Sequence, residues 1–208
     1  MKLLTFKLAG TEYLGALTDT GVFNLSADAP EDIAFSSMQH FIEAGQLALD
    51  RAYALLESSS VSIPSDQVDF LAPLPLPPQI RDCLGFEEHL KNSFESAMKL
   101  SAMAADDPVV AERGLRASGR FTVPEVWYQQ PLYYKANRFS VAESGKDVVW
   151  PAYSEVMDFE LEMACIVGKK GKDISKVNAE DHIFGYTIYN DFSARDAQIL
   201  ESPGMLGP

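Results

Sequence analysis

The sequence predicts an α+β fold that is mainly β, with a small N-terminal α+β domain ahead of a larger second part. Three observations carry this. Short strand-like runs fill the first 27 residues, apolar residues at helical spacing occupy two limited stretches, and near residue 160 acids alternate with large apolar side chains in M-D-F-E-L-E-M.

Taken in order, L-L-T-F-K-L, Y-L-G-A-L-T and G-V-F-N-L read as strands separated by Gly, Thr and Asp turn signals. Met38, Phe41, Ile42, Leu47, Leu49, Ala52 and Leu55 then recur at mostly helical spacing, which predicts one or two helices over 36–57. Ser58 to Ser65 reads as a loop. Pro73, Pro75, Pro77 and Pro78 follow in L-A-P-L-P-L-P-P, where rings without N–H donors forbid helix and sheet interior and favour an extended connector. The expected division is therefore residues 1–72, a linker over 73–78, and 79–208. Beyond the linker, Ile80 to Gly85 reads as a strand leading into a helix from Glu87 to about Ala105, apolar at Leu90, Phe94, Met98, Leu100 and Met103. The charged, small-residue stretch from Asp106 to Arg120 reads as a surface excursion or lid. P-L-Y-Y-K, the acidic run and I-F-G-Y-T-I-Y read as further strands, with a K-K-G-K turn and a short helix near Asn178 to Asp181 between the last two.

In the acidic run, Asp158, Glu160 and Glu162 share one face and Met157, Phe159, Leu161 and Met163 the other, because a strand alternates its side chains. Same-face neighbours along a strand lie roughly 7 Å apart, so the carboxylates repel unless water screens them or a cation neutralises them. Two readings stand: the wet face of an antiparallel sheet, or a divalent metal site. No basic, Ser or Thr residue interleaves on the acidic face, and Ala164 to Val167, expected to be buried, follows at once. An all-oxygen site suits Mg2+, Ca2+ or Mn2+ rather than zinc.

The last predicted strand ends in N-D-F-S-A-R-D-A-Q, which delivers Asp191, Ser193, Arg195, Asp196 and Gln198 in quick succession. Asp191 is placed either to complete a metal site or to cap the following turn. Arg195 has the forked guanidinium that suits a substrate carboxylate. R-D-C-L-G-F-E-E-H-L supplies Asp82 and His89; a histidine beside a metal site is the usual general base at neutral pH. His40 and His182 are read as structural.

Thirty acids against 17 Lys and Arg give a net charge of −13, which disfavours nonspecific binding to nucleic acid or to anionic membranes. Cys83 and Cys165, far apart, are expected to be small core residues in a reducing compartment. The first apolar run is too short for a signal peptide, and no stretch approaches the roughly 20 apolar residues of a membrane span, so a cytoplasmic location is expected. No phosphate loop, dinucleotide fingerprint or serine-hydrolase elbow is present.

In this order and at these spacings, R-D-C-L-G-F-E-E-H, Y-Y-K-A-N-R-F-S, M-D-F-E-L-E-M-A-C-I-V-G-K and I-F-G-Y-T-I-Y-N-D-F-S-A-R-D-A-Q resemble the fumarylacetoacetate hydrolase family. The resemblance runs from about Gln79 to the C-terminus. It implies a mixed β-roll, incomplete in this chain, preceded by the small N-terminal domain. It further implies a divalent metal, Mg2+ or Ca2+ with Mn2+ as an alternative, held by Asp82, Glu160, Glu162 and Asp191. His89 matches the histidine that activates water. Arg195, Gln198 and, from the aromatic strand, Tyr134 match substrate-holding positions. Asp158 is left outside the metal shell.

The implied reaction is hydrolysis of a carbon–carbon bond in a diketo acid such as fumarylacetoacetate, as in aromatic amino-acid catabolism, by a homodimer when full length. The metal would stabilise the departing enolate and His89 would deprotonate water. Decarboxylation or isomerisation of a related keto acid is the alternative on the same fold. Family members continue past E-S-P-G-M-L-G-P into a segment with an oxyanion-stabilising lysine, more β-roll and a glutamate that orients the histidine. The resemblance therefore implies an N-terminal part of a family enzyme, with little or no activity by itself, or a non-catalytic fragment.

Overall fold

Alternating side chains over the first 24 residues build an antiparallel sheet in the computed structural model, which describes residues 1–58, 62–201 and 204. Strands β1 (Lys2–Leu8), β2 (Thr11–Thr18) and β3 (Gly21–Asn24) lie in the order β3-β2-β1. Ala9 and Gly10, both at positive φ, make the tight turn between β1 and β2, as a two-residue hairpin loop requires. Gly21 sits at φ +139°, where a Cβ would also run into the Ile63 carbonyl, so only glycine fits. The short helix α1 (Leu25–Asp28) follows, capped by the Asn24 side chain, which accepts from the Ala27 N–H at 3.0 Å. Helix α2 (Met38–Ala44) is capped by Ser37 and ends at Gly45, and α3 (Gln46–Ser58) completes the helical layer.

The face of this layer toward the sheet carries Phe35, Phe41, Ile42, Ala48 and Ala52, packed with Leu14, Phe23 and Leu25 from the sheet side. Phe35 and Phe41 meet edge to face at 5.5 Å. Of the loop expected over 58–65, residues 59–61 lie outside the described residues; Ile63 exchanges backbone hydrogen bonds of 2.7 and 2.8 Å with Val22. Strand β4 (Asp69–Phe70) adds to the free edge of β1. The four prolines have no N–H to donate, and two of their carbonyls are taken up by side chains: the Thr5 hydroxyl donates to Pro73 at 2.7 Å and the Arg138 Nε to Pro77 at 2.6 Å.

Two compact units divide the chain, residues 1–78 with 137–208, and residues 79–136. In the second, β5 (Ile80–Cys83) leads into α4 (Glu87–Met103), α5 (Pro108–Ala117) and α6 (Glu125–Gln129) before β6 (Tyr133–Ala136) returns antiparallel to β5. Helix α4 buries Leu90, Met98 and Ala102. The stretch read as a surface excursion or lid over 106–120 carries a helix that buries no side chain. Asp107 caps α5, accepting from the Val109 and Val110 N–H groups at 3.1 Å, and Pro108 follows at the first helical position. Arg116 forks onto Glu95 of α4 at 2.7 and 3.0 Å and reaches Glu112 at 2.8 Å.

The first unit continues into β7 (Met157–Val167) and β8 (Ile183–Ala194), a two-stranded antiparallel ribbon, and closes with α7 (Arg195–Glu201). The short helix expected near 178–181 is a pair of 3-10 turns, Lys176–Asn178 and Glu180–His182. The ribbon joins the N-terminal core through Ile166 and Phe184, the latter edge to face with Phe41 at 6.1 Å.

Two expectations are corrected here. Ala164 to Val167 is not buried as a block: Ala164 and Ile166 are half-buried, whereas Cys165 and Val167 face out. Neither cysteine is a core residue; both Cys83 and Cys165 are exposed, the latter on the outer face of the ribbon. On the acidic face Glu160 and Glu162 are half-buried and Asp158 is exposed, while the apolar side is open, with Leu161 76% and Ile188 77% exposed. Alternation sorts side chains onto two faces, but contact with the core decides which face is covered: Ile166 packs on it from the acidic side, and Phe184 from the irregular pairing beside it.

Candidate functional site

Antiparallel pairing places Glu160 directly opposite Asp191, Glu162 opposite Tyr189 and Asp158 opposite Ser193. Because the period is two, all six share one face, half-buried except at Asp158, which is exposed. Directly opposed side chains sit with Cβ atoms roughly 5 Å apart, and like charges in that position destabilise a sheet. The Glu160 and Asp191 pair therefore needs a cation.

Arg195 supplies one. Its backbone N–H donates to the Val156 carbonyl at 3.0 Å, which starts α7 immediately at the end of β8 and turns the side chain back over the strands. From there Nε donates to Asp158 Oδ2 at 2.8 Å, Nη2 pairs with Glu160 Oε1 at 2.8 Å, and Nη1 donates to Gln198 Oε1 at 3.0 Å. Gln198 is three residues along α7, so it stands beside Arg195 on the same helix face. The Arg195 side chain is only 25% exposed. Burial works against its charged form, yet the bonds to Asp158 and Glu160 outweigh that and hold its pKa above the ordinary value. Reciprocally, Arg195, with help from the Phe159 N–H, holds the Asp158 carboxyl below the usual carboxylate range.

A second clasp fixes where this arginine begins. The Ser154 hydroxyl donates to Asp196 Oδ1 at 2.6 Å and the Glu155 N–H to Asp196 Oδ2 at 2.8 Å, ties that lower the Asp196 pKa. Ser154 is itself buried, and its carbonyl accepts from Trp150 Nε1 at 3.1 Å. Sequence reasoning missed Ser154 and gave Asp196 no role; the available signal was an acid in the first turn of a helix that follows a strand without a linker.

In the other unit, Asp82 on β5 faces Tyr134 on β6, and the tyrosine hydroxyl donates to Asp82 Oδ2 at 3.0 Å. Both are half-buried. His89 is exposed near the start of α4, with Nε2 3.5 Å from the Ser93 hydroxyl. Beside it, the Tyr128 hydroxyl donates to Glu87 at 2.6 Å, which, with Lys91, lowers the Glu87 pKa. Sequence-derived candidates thus fall into two sets, each described within its own unit: Glu160, Glu162, Asp191, Arg195 and Gln198 in one, Asp82, His89 and Tyr134 in the other. His40 and His182, read as structural, make local polar contacts: His40 Nδ1 lies 2.7 Å from the Ser36 hydroxyl and His182 Nδ1 2.9 Å from the Lys169 carbonyl.

The donor set on the ribbon suits a hard divalent ion, since Glu160, Glu162 and Asp191 offer carboxylate oxygens from adjacent positions of one face. As arranged, no three His, Cys, Asp or Glu side chains among the described residues converge closely enough to hold a metal, and one Glu160 oxygen is taken by Arg195.

Residues 85–207 match the model of the fumarylacetoacetate hydrolase C-terminal family, well over half of the chain. The chain belongs to the fumarylacetoacetate hydrolase family. It is 29% identical over 206 residues to human mitochondrial oxaloacetate tautomerase FAHD2A, covering 96% of this chain and 55% of that protein. It is 42% identical over 93 residues to the fumarylacetoacetase of Oryza sativa subsp. japonica, covering 36% and 22%. The chain thus spans about half the length of the curated relatives that it matches along most of its own. Among solved structures, the fumarylacetoacetate hydrolase of the psychrophile Exiguobacterium antarcticum superposes with a TM-score of 0.62 at 20% identity, over all of this chain and 60% of that one. Maleylpyruvate hydrolase from Sphingobium sp. SYK-6, in complex with manganese(II) ion and pyruvate, gives 0.59 at 18% identity, over 94% and 60%. The α+β, mainly β architecture is accordingly part of the fumarylacetoacetate hydrolase fold.

Proposed function

We propose that this chain carries the metal-binding part of an enzyme that hydrolyses a carbon–carbon bond in a small diketo acid such as fumarylacetoacetate. The observation that carries the reading is one half-buried strand face on which Glu160 opposes Asp191, Glu162 follows, and Arg195 with Gln198 stands alongside. Glu160, Glu162 and Asp191 would hold Mg2+, Ca2+ or Mn2+ once drawn together, with Glu160 released from Arg195. The bound ion supplies Lewis-acid chemistry at the oxygens of a diketone. Arg195 and Gln198 engage the substrate carboxylate, the former by a forked pair of hydrogen bonds. For Asp82 as a further ligand, His89 as the base and Tyr134 as a substrate contact, the proposal rests on their places in the sequence motifs.

A second reading has its own support. Relatives that align over 94% and 96% of this chain are named oxaloacetate tautomerase. Tautomerisation moves a proton between carbon and oxygen and needs no attacking water, so His89 would matter to hydrolysis far more than to the proton shift. Decarboxylation of a keto acid remains the third chemistry that the same acids and arginine would serve. The protein is further proposed to be a homodimer at full length and cytoplasmic; the tautomerase relatives are named as mitochondrial, and no described helix is long and apolar enough to cross a membrane.

Mn2+ titration of the wild type, Glu160→Gln and Glu162→Gln tests the metal face, with affinity expected to fall roughly tenfold or more in each variant. Equal affinity in all three would remove the metal reading. Supplying fumarylacetoacetate and oxaloacetate in parallel, with Mg2+ present, then separates the chemistries: cleavage products mark the hydrolase, and accelerated loss of enol absorbance without cleavage marks the tautomerase.

A further inference from the structure

We infer that one face of the β5–β6 strand pair is a second ligand site, which takes a small amphipathic carboxylate with its charged end on Arg81 and Lys135 and its flat apolar body beside Trp127. This goes beyond the metal reading and does not depend on it. Arg81 and Lys135 lie on the opposite face of the strand pair from Asp82 and Tyr134.

The first observation is charge. Register sets Arg81 directly opposite Lys135. Like charges in that position destabilise a strand pair, and a chain of net charge −13 has acids to spare for them. Yet both side chains are exposed, and neither forms an ion pair among the described residues. Tyr133, on the same face, holds them instead: its ring centre lies 4.9 Å from the Arg81 guanidinium carbon and 5.7 Å from Lys135 Nζ. The ring steadies both cations and neutralises neither. A carboxylate would bridge them, accepting from the guanidinium fork and the ammonium together. The negative charge of the chain disfavours a dianionic phosphate in the same place.

The second observation is a hollow of about 360 Å³ at the end of these strands, lined in part by Cys83, Trp127, Tyr128, Pro131 and Leu132. That volume suits a small ligand. Cys83 pairs directly with Tyr133 and stands two residues from Arg81 on the same face, so the cations lie roughly 7 Å along the strands from the rim of the hollow. One small molecule can reach both.

The third is fixed geometry. Trp127 Nε1 donates to the Leu84 carbonyl at 2.6 Å, the Tyr128 hydroxyl donates to Glu87 at 2.6 Å, and the two rings meet edge to face at 5.0 Å. Both aromatic walls are therefore in place before a ligand arrives, which lowers the cost of binding. Glu87 repels a carboxylate from its own side, so the charged end belongs with Arg81 and Lys135.

The test is a titration of the full chain with benzoate at constant ionic strength, read from the indole N–H signals of its two tryptophans, Trp127 and Trp150, in 1H–15N spectra. Acetate, benzyl alcohol and phenyl phosphate are titrated in parallel. Benzoate is expected to shift the Trp127 signal saturably and leave Trp150 in place, with an affinity about tenfold above those of acetate and benzyl alcohol. Arg81→Gln and Lys135→Gln should each weaken benzoate about tenfold. Arg113→Gln, which removes an exposed charge elsewhere in the same unit, should change it by less than about twofold. Each glutamine removes one of two opposed like charges, so the fold is expected to survive; Arg81→Lys, with charge but no fork, gives an intermediate loss and keeps the test decisive if a glutamine variant unfolds. Benzoate affinity unchanged in both glutamine variants, or matched by benzyl alcohol, would overturn the cation pair as a site. Affinity matched by acetate would overturn the role of the hollow, and tighter binding of phenyl phosphate would overturn the choice of a carboxylate. No saturable shift of Trp127 would remove the site altogether.

Discussion

The N-terminal sheet and the β7–β8 ribbon obey the same alternation and put it to opposite use. In the sheet both faces are sealed: Leu14 and Ala16 are wholly buried on one, Phe6 and Val22 on the other. In the ribbon, the large apolar side chains of β7 stand in the open, from Phe159 at 62% to Leu161 at 76% exposed, and the acids turn inward. Polarity of the residues therefore does not determine which face meets the interior; the elements that press on the strand do. Helices α2 and α3 cover the sheet, whereas the ribbon meets that core only at its Ile166 and Phe184 end and keeps its acidic face half-covered by the side chains of α7.

That contrast can be tested by substitution, starting with the largest effect. Phe41 is fully buried and touches Phe35 and Phe184, so Phe41→Ala is expected to cost about 3–5 kcal/mol in urea unfolding. A loss under about 1 kcal/mol would show that the two layers are not one core. Ile166 lies on the acidic side of β7, half-buried against the same core, and Ile166→Ala is expected to cost about 1–2 kcal/mol, less than a fully buried isoleucine. Next comes a pH effect. Arg195 depresses the Asp158 pKa, so the pair contributes stability above the ordinary carboxylate range and loses it as pH falls through the lowered value. The unfolding free-energy gap between wild type and Asp158→Asn should therefore shrink on acidification from about pH 7 to about pH 3, and it starts small because Asp158 is half exposed and screened. A gap that widened with acid would reverse the assignment. The smallest effect belongs to Leu161→Ala on the open face, expected within about 0.5 kcal/mol of wild type. A loss comparable to that of Ile166→Ala would mean that the outer face is covered in solution.

Much of this was legible residue by residue. The strands, the first helices and α4 follow from local periodicity, and Ser37 and Gly45 bracket α2 as capping chemistry predicts. Helix α5 was not, because its charged, small-residue sequence read as a surface excursion; its signal was the Asp107–Pro108 start. At the candidate site the strand period assigned Glu160 and Glu162 to one face, and four ordered motifs pointed to the family. The pairing of Arg195 with Asp158 and Glu160 spans more than 30 residues of chain and no local rule predicts it.

What the sequence determined by itself is sorting: which side chains share a face, where the chain turns and which residues have the chemistry for a hard cation and a carboxylate. Those follow from backbone periods and side-chain functional groups, which are local. Tertiary structure alone decided registration and cover. It set Glu160 against Asp191, drew Arg195 back over Asp158 through the Val156 hydrogen bond, and turned the acidic face of β7 toward the interior instead of the apolar one. Register and burial depend on contacts between segments far apart in the chain, and their free energy exists only once those segments meet.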